Sequence, residues 1–315
     1  MPQKLHGMIR LLFEAVASRE SKPHNRPVGK TAWQKRIRRA EVLAAQHSFA
    51  VEILGFYVHI ARFQEGLCQQ MEHHAATVGG SEYARRNAGV PPAVFQERAW
   101  ASRPLPGQQD AGDAILTTSF PQFLAVVQKH APERLAQVAH ELHSQPASAC
   151  FELLSAVWSD HGGPPSNPEG FLALTFLQPY AEFVRSQSQL HLEGYSQSLC
   201  PACSRRAALG VLRQLGDGAQ RRLVCGFCLA EWEFRRVVCP GCGQEDHAKL
   251  PVYTAETFPH IRVECCDTCQ IYIKSIDLAK NGLAEPLVDE LASIPLDLWA
   301  QEHGYAKLHP NMFGI

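Results

Sequence analysis

The sequence lacks any run of about 18 consecutive apolar residues, the length a helix needs to cross a bilayer, so we predict no membrane span. It also has little net charge, because 30 Lys and Arg residues stand against 31 Asp and Glu residues. This balance removes the simplest argument for a nucleic-acid or acidic-lipid partner. Phosphate-binding loops, nucleophile elbows and convincing carboxylate pairs are also absent from the sequence. We therefore predict no catalytic residues and expect a protein that is not an enzyme.

Cysteine is scarce in the first 199 residues, which contain only two of the 11 in the chain. The other nine lie between Cys200 and Cys269. Residues 8–14 are too short and too charged a segment for the apolar core of a signal peptide, so we expect a protein that stays in the reducing cytoplasm. In that compartment, clustered cysteines indicate metal binding rather than disulfides.

Helical periodicity dominates the chain from about residue 31 to residue 187. Its clearest apolar stripe steps by three and four residues, as one buried face of a helix does, and comprises Phe49, Ile53, Phe56, Ile60, Phe63 and Leu67. Further helices are predicted to begin at Thr118, Pro132 and Pro168, because hydroxyl and proline residues mark helix starts. Segments 79–80 and 103–112 are rich in Pro, Gly and Gln and are expected to be loops.

Short β-type runs replace the helical pattern beyond a polar segment at 186–198. They cover residues 221–224, 235–238, 250–253 and 270–273, each near a cysteine pair. We predict a multidomain α plus small β protein, with a helical N-terminal domain followed by two tandem rubredoxin-like or zinc-ribbon metal-binding subdomains. The predicted parts are a basic leader at 1–30, the α-helical domain at 31–195, the first ribbon at 196–234, the second ribbon at 235–280 and a helical tail at 281–315.

Eight of the cysteines form four C-x-x-C pairs, here called knuckles. They are Cys200 with Cys203, Cys225 with Cys228, Cys239 with Cys242, and Cys266 with Cys269. Two residues between the ligands form a tight turn that directs both thiolates at one ion, and a tetrahedral site needs two such turns. Intervals of 21 and 23 residues inside a double pair are typical of zinc ribbons and rubredoxins, whereas the interval of 10 resembles a link between two units.

The spacing favours a sequential pairing of the knuckles. The first four of these cysteines would hold one metal ion and the last four a second, while an interleaved pairing stays open. A closed shell of four sulfurs leaves no position for an activated water, so such sites serve folding, electron transfer or the display of a binding surface. Tetrahedral sulfur ligation suits zinc and iron alike, and the sequence does not choose between them.

Other candidate groups are weaker than the knuckles. His140 and His143 are three residues apart rather than the four of a metalloprotease helix, which favours a solvated helix face. Cys265 lies beside the last knuckle as a spare ligand, a reactive thiol or, as we favour, a packed neighbour. Cys68 and Cys150 lie in helical segments and are expected to be small core residues.

The knuckles and the residues around them resemble the FdhE family of formate dehydrogenase accessory proteins. The matching residues are 200–203, 222–232, 235–239, 242–243, 262–269 and 272–274, with C-terminal matches at 289–293 and 296–297. The resemblance covers roughly residues 35–305. Two departures are Ser204, where a glycine often follows the knuckle, and Cys265, which makes the last pair a triple.

This resemblance implies a cytoplasmic maturation factor rather than a catalyst. Its partner would be the catalytic subunit of an exported, molybdenum-type formate dehydrogenase, which it would help to assemble or activate. The resemblance also favours iron over zinc in the two four-cysteine sites. A second copy of the chain is a further candidate partner, as in a homodimer.

Two alternatives of a different class stay open. One is a zinc-ribbon nucleic-acid-binding protein, although ten Lys and Arg against eight Asp and Glu in residues 200–275 give little charge for following phosphates. The other is a rubredoxin-like electron carrier, which leaves the large helical domain unexplained. Glu231, Trp232, Arg235 and Arg236 lie between the two sites, either on a contact surface or in hairpin packing.

Overall fold

The structure is a computed structural model that describes residues 30–77, 105, 113–160, 165, 167–186, 194–216, 218–311 and 314. The predicted basic leader, apart from Lys30, lies outside the described residues, as do the predicted loops at 79–80 and 103–112, apart from Leu105. Where the structure describes the chain, it contains no helix with both the length and the apolar character needed to cross a membrane.

The first part of the described chain is helical, as predicted. Its elements are α1 (Lys30–Gln46), a 3-10 turn (Ser48–Ala50), α2 (Val51–Thr77), α3 (Asp113–His130), α4 (Glu133–His143), α5 (Ala147–Ser159) and α6 (Pro168–Ser186). The predicted starts at Pro132 and Pro168 are confirmed, because Pro132 caps α4 and Pro168 is the first residue of α6.

The predicted helix start at Thr118 is wrong. Helix α3 begins five residues earlier, at Asp113, and contains Pro121 in its interior. The Thr118 hydroxyl donates a hydrogen bond to the Ile115 carbonyl, 3.3 Å away, and so bonds within the helix instead of capping it. Leu116, one turn before Phe120, is buried with it, and this packing extends the helix beyond its local start signal.

Most of the apolar stripe predicted on α2 faces the core. Phe56, Ile60 and Leu67 are buried. Ile53 and Phe63 are partly buried and pack against the same cluster. The prediction fails at Phe49, which lies in the 3-10 turn before the helix and is 50% exposed, because the helix begins only at Val51. Helix α6 runs through the centre of this core, and every residue from Leu172 to Arg185 is buried.

The cysteine-rich region forms a single sheet of seven strands among the described residues. The strands are β1 (Ala207–Leu215), β2 (Gly218–Cys225), β3 (Glu231–Glu233), β4 (Val252–Ala255), β5 (Phe258–Cys266), β6 (Ile271–Asp277) and β7 (Ala306–Lys307). Their order is β3-β2-β1-β6-β5-β4, with β7 beside β6. Antiparallel pairs form each half of the sheet, and the parallel pair β1 and β6 joins the halves. The boundaries proposed at 196, 235 and 281 stay predictions.

The joint between the two halves depends on a glycine. Gly210 of β1 pairs with Ser275 of β6. A Cβ atom at position 210 would lie 2.2 Å from the Ser275 hydroxyl oxygen, so the Ser275 side chain occupies the space that a larger residue at this position would need.

Three of the four predicted β-type runs are confirmed in whole or in part, at 221–224, 250–253 and 270–273. The run at 235–238 is wrong, because it forms a turn. The buried guanidinium of Arg221 donates to the carbonyls of Arg235 and Val238, at 3.0 and 3.3 Å, and these carbonyls accept from a side chain instead of from a strand. Strands β1 and β5 escaped prediction because they are largely buried and lack a clean alternation of polar and apolar residues.

The C-terminal segment packs the sheet against the helical part. It contains two helices, α7 (Pro286–Ala292) and α8 (Ile294–Glu302), which both lie in the predicted helical tail. From α1, the Arg39 guanidinium donates to the Asp289 carboxylate of α7, with an Nε–Oδ2 distance of 2.9 Å. The Arg36 guanidinium of α1 pairs with Glu182 of α6 at 2.7 Å. These contacts connect α1 to the central helix α6 and to the C-terminal segment.

Candidate metal centres

The first cysteine quartet consists of Cys200, Cys203, Cys225 and Cys228. The first knuckle precedes β1, and the second begins at the last residue of β2. The Sγ atoms of Cys200 and Cys228 are 3.5 Å apart, those of Cys203 and Cys225 are 3.4 Å apart, and all four lie within 4.8 Å of one another. Tetrahedral ligation at a metal–sulfur distance of about 2.3 Å requires sulfurs about 3.8 Å apart. The donor set therefore fits one four-sulfur metal ion.

The second quartet repeats this arrangement with Cys239, Cys242, Cys266 and Cys269. The Sγ distances are 3.7 Å between Cys239 and Cys269 and 3.7 Å between Cys242 and Cys266. These sulfurs also lie within 4.8 Å of one another. The structure thus brings together the two sequential quartets, and the interleaved pairing does not occur in it.

Each knuckle is followed directly by a residue in the left-handed backbone region. The φ angles of these residues are 59° at Ser204, 55° at Leu229, 78° at Gly243 and 55° at Gln270. In the first knuckle, the Ser204 N–H donates to the Cys200 carbonyl at 2.9 Å and closes the turn. A glycine adopts this conformation at no steric cost. The departure at Ser204 therefore leaves the turn intact but introduces a strained residue.

Backbone N–H groups point at the first sulfur of three knuckles. The distances are 3.4 Å from Ala202 N to Cys200 Sγ, 3.4 Å from Phe227 N to Cys225 Sγ, and 3.3 Å from Gly241 N to Cys239 Sγ. A thiolate is the better acceptor for such a hydrogen bond, so the turns favour charged sulfur.

Burial opposes that charge in the first quartet. It raises the pKa of the Cys200 and Cys228 thiols well above the ordinary value, and hydrogen bonds with the neighbouring sulfurs add to the rise at Cys200. At Cys225 burial also raises the pKa, but the hydrogen bonds that its sulfur accepts outweigh it and hold the pKa well below the ordinary value. Four thiolates this close would repel one another in a dry environment. A divalent cation at their centre would remove the repulsion and favour full deprotonation. The chemistry of the quartet therefore fits a sulfur-binding metal such as zinc or iron.

The first quartet is packed against the helical part. Arg185 of α6 donates from Nε to the Cys228 carbonyl at 3.1 Å. Phe227, inside the second knuckle, lies edge-on to Trp158 of α5, with ring centroids 5.8 Å apart. The Arg205 guanidinium lies 4.2 Å from the centre of the Phe227 ring. This quartet lies in the same core as the helices.

The suggested contact surface between the two sites is largely interior. Trp232 is completely buried and donates from Nε1 to the Gln197 carbonyl at 2.9 Å. Glu231 pairs with the guanidinium groups of Arg213 and Arg222. Hairpin packing is therefore the correct interpretation for Trp232 and Glu231. Arg235 and Arg236 remain exposed, and Arg235 pairs with Glu245.

The remaining cysteines stand outside both quartets. Cys265 is buried among apolar side chains of the sheet, and burial together with the nearby Asp267 and Glu264 carboxylates raises its pKa to about 12. Its place in this cluster agrees with the interpretation as a packed neighbour. Cys68 is buried in α2, and Cys150 is half-buried in α5.

The histidine pair on α4 has no metal partner within the described residues. His140 and His143 belong to neither cluster of metal-binding geometry found there. The His143 Nδ1 atom instead lies 3.0 Å from the Gln128 amide nitrogen of α3. Both histidines are exposed, as expected for a solvated helix face.

A cluster of buried charges on the C-terminal half of the sheet was not predicted. Lys274 of β6 is fully buried, with Nζ 2.6 Å from Asp297 Oδ2 and 3.0 Å from Glu290 Oε1. Lys307 of β7 pairs with the same two carboxylates. Although burial opposes it, the two ammonium groups lower the pKa of Glu290 to about 2. The only signal in the sequence was a lysine in the middle of an apolar strand.

Comparison with known proteins agrees with this architecture. Residues 237–313 match the family described as FdhE, C-terminal domain. A protein FdhE homolog from Aquifex aeolicus is 24% identical over 88% of this chain and 94% of its own length. A protein FdhE homolog from Pseudomonas aeruginosa is 34% identical, over 38% of this chain and 41% of its own length.

A solved structure has the same fold. The crystal structure of the FdhE protein from Pseudomonas aeruginosa superposes with a TM-score of 0.61 and covers 92% of this chain and 97% of that one, at 21% sequence identity. The predicted fold class, a helical N-terminal domain followed by two four-cysteine ribbons, is confirmed. The two predicted ribbons share one sheet among the described residues.

Proposed function

Because the chain resembles the FdhE proteins over most of its length, we propose that it is a non-catalytic accessory protein for formate dehydrogenase. In this proposal it binds the catalytic subunit of an exported formate dehydrogenase in the cytoplasm and supports the assembly or activation of that subunit. A second copy of the chain is a further proposed partner, and nucleic acid is not.

The observation that carries the non-catalytic part of the proposal is the closure of both cysteine quartets. Each supplies four sulfurs within 4.8 Å of one another, a complete tetrahedral shell. A catalytic metal keeps one position for water or substrate, and neither quartet offers one. Metal in these sites would therefore hold the fold together, carry electrons or shape a binding surface.

The proposed metal ligands are the eight knuckle cysteines. They are Cys200, Cys203, Cys225 and Cys228 for the first ion, and Cys239, Cys242, Cys266 and Cys269 for the second. Family resemblance favours iron, while the same four-sulfur geometry also suits zinc. A visible thiolate-to-iron absorption band in the purified protein would identify iron, and its absence together with bound zinc would identify zinc.

The test is a pull-down with the full chain as bait, from cells that make formate dehydrogenase. We expect the wild-type chain to recover the catalytic subunit and to carry two metal ions. Cys150→Ser is the matched control, because this cysteine lies outside both quartets and should recover the subunit equally well. Cys203→Ser should lose one metal ion and recover less of the subunit.

A different result of the same pull-down would contradict the proposal. Recovery of DNA or RNA that nuclease removes, with no catalytic subunit, would overturn the proposal in favour of the nucleic-acid-binding alternative. Light scattering on the same purified bait gives its mass and so tests the proposed second copy.

A further inference from the structure

The two quartets differ in their exposure to solvent. All four cysteines of the first quartet are buried, with Cys200 the most exposed at 1%. In the second quartet, Cys239 and Cys266 are buried, Cys269 is half-buried and Cys242 is exposed. The sulfur geometry of the two is nearly the same, so the difference lies in what surrounds them.

The residue before the second cysteine of each knuckle shows the same difference in exposure. In the first quartet these residues are Ala202 and Phe227, both buried, and Phe227 packs on Trp158 of α5. In the second quartet they are Gly241 and Thr268, both exposed. A Cβ atom at Gly241 would lie 3.2 Å from Ile271 Cδ1, 3.5 Å from Cys239 Sγ and 3.6 Å from Cys269 Sγ. The glycine therefore covers the sulfurs less than any other residue would, since a side chain here would lie in contact with two of them.

The second quartet is also approached by a cavity. Its volume is about 230 Å³, and Cys239 and Cys266 are among its lining residues. Arg236 and His247, both exposed, lie on its wall. The cavity lies beside this quartet, and the exposed Cys242 gives a small chelating ligand access to it from solvent.

We propose that the two metal sites are functionally unequal: the second quartet exchanges its ion with ligands in solution, while the first retains its ion until the core opens. The inference rests on the metal-binding part of the proposed function. It assigns to the first site the role of holding the helices and the sheet together, and to the second an ion that exchanges with ligands in solution.

The exchange is a ligand substitution without electron transfer. One divalent ion leaves four thiolates of the second quartet for the donor atoms of an incoming chelator, and the vacated thiolates take up protons from water. At an exposed cysteine this substitution can proceed one sulfur at a time. At the buried quartet it must await local opening of the surrounding core.

The test uses the full chain loaded with two equivalents of zinc and an excess of the coloured chelator 4-(2-pyridylazo)resorcinol. We expect one equivalent to leave at least about 100-fold faster than the other, a factor that corresponds to roughly 3 kcal/mol of local opening. The measurement is repeated in a Trp299→Phe chain, because Trp299 packs against the apolar cluster that contains Cys265 in the second half of the sheet. In that chain the tryptophan fluorescence should stay constant during the fast phase, because Trp158 and Trp232 lie in the core around the first quartet. Release of both equivalents in one phase would overturn the inference.

Variants assign the phases to the sites. Cys242→Ser should remove the fast phase and keep the slow one. Thr268→Phe, which copies Phe227 of the first quartet, should keep both equivalents and slow the fast phase. A fast phase that survives Cys242→Ser unchanged would contradict the assignment, as would a fast phase accompanied by the fluorescence change.

Zinc analysis before the chelator is added tests the proposed metal sites separately from the inequality between them. A chain that binds no zinc or iron would overturn the proposed metal sites themselves. Two bound equivalents that leave together would overturn only the inequality of the sites.

Discussion

At the scale of single residues, the four knuckles impose the same backbone requirement and meet it differently. The left-handed position after each knuckle is a glycine only at Gly243, whereas Ser204, Leu229 and Gln270 adopt it with a side chain. Each such residue costs roughly 1–2 kcal/mol relative to a relaxed backbone. The metal and the turn hydrogen bonds would offset this cost in the folded protein.

Substitutions at Ser204 should reveal this strain. A β-branched residue fits the left-handed region poorly, so Ser204→Val is expected to unfold at a free energy about 1–2 kcal/mol below that of Ser204→Gly. Denaturant titration of the zinc-loaded protein measures the difference. Ser196→Val, at an exposed residue without positive φ, serves as the control and should change little. Equal stability of the two Ser204 variants would show that the position is not strained.

At the scale of elements, the close contact between β1 and β6 turns two ribbons into one sheet. In this parallel pair Gly210 lies opposite Ser275, and the two residues are 65 positions apart in the sequence. Arg221 of β2 and Glu264 of β5 reinforce the joint with a 2.6 Å ion pair. Each half carries one quartet, so the joint also sets the distance between the two proposed metal ions.

Gly210→Ala should weaken this joint. Its Cβ would overlap the Ser275 hydroxyl, and overpacking of this kind costs about 1–3 kcal/mol. Ser275→Gly in the same chain should restore much of the loss, because it removes the atoms that clash. Gly218→Ala is the matched control in β2, where the nearest atom to a new Cβ is 3.8 Å away. Thermal or urea unfolding measures all four proteins, and a full effect at Gly218 would contradict the packing argument.

At the scale of the whole molecule, one apolar core contains the helices, the first quartet and α7. The C-terminal segment closes over the other half of the sheet through the buried charges of Lys274, Glu290, Asp297 and Lys307. Removing one partner from such a cluster leaves an uncompensated buried charge, which typically costs about 3–5 kcal/mol.

This charge cluster should make stability depend on acid pH. The folded pKa of Glu290, about 2, lies below its ordinary value of 4.5, so its contribution is complete above about pH 4.5 and is lost as the pH falls toward 2. The stability difference between wild type and Glu290→Gln should therefore be constant from pH 7 to 5 and shrink below 4.5. Urea unfolding at several pH values measures it, and metal loss in acid affects both proteins alike. A difference that stays constant down to pH 3 would contradict the assignment.

Features that depend on residues close together in the sequence could be predicted without the structure. A knuckle is a four-residue turn, so spacing alone identifies the eight cysteines and favours their sequential grouping. Only the structure distinguishes this grouping from an interleaved one. Helix starts at Pro132 and Pro168 were likewise local signals. The start at Thr118 and the strand at 235–238 were predicted wrongly because distant packing, or a guanidinium from another strand, outweighed the local pattern.

The sequence by itself therefore determined which cysteines form the four knuckles and that helices would precede ribbons, since both depend on residues close along the chain. Only the tertiary structure decided that the ribbons merge through Gly210, that Trp232 is interior and that Lys274 is buried among carboxylates. It also decided that the first quartet is covered by α5 and α6 while Cys242 faces solvent. The physical reason is that burial is a property of contacts between distant segments, whereas ligand spacing is a property of a single turn.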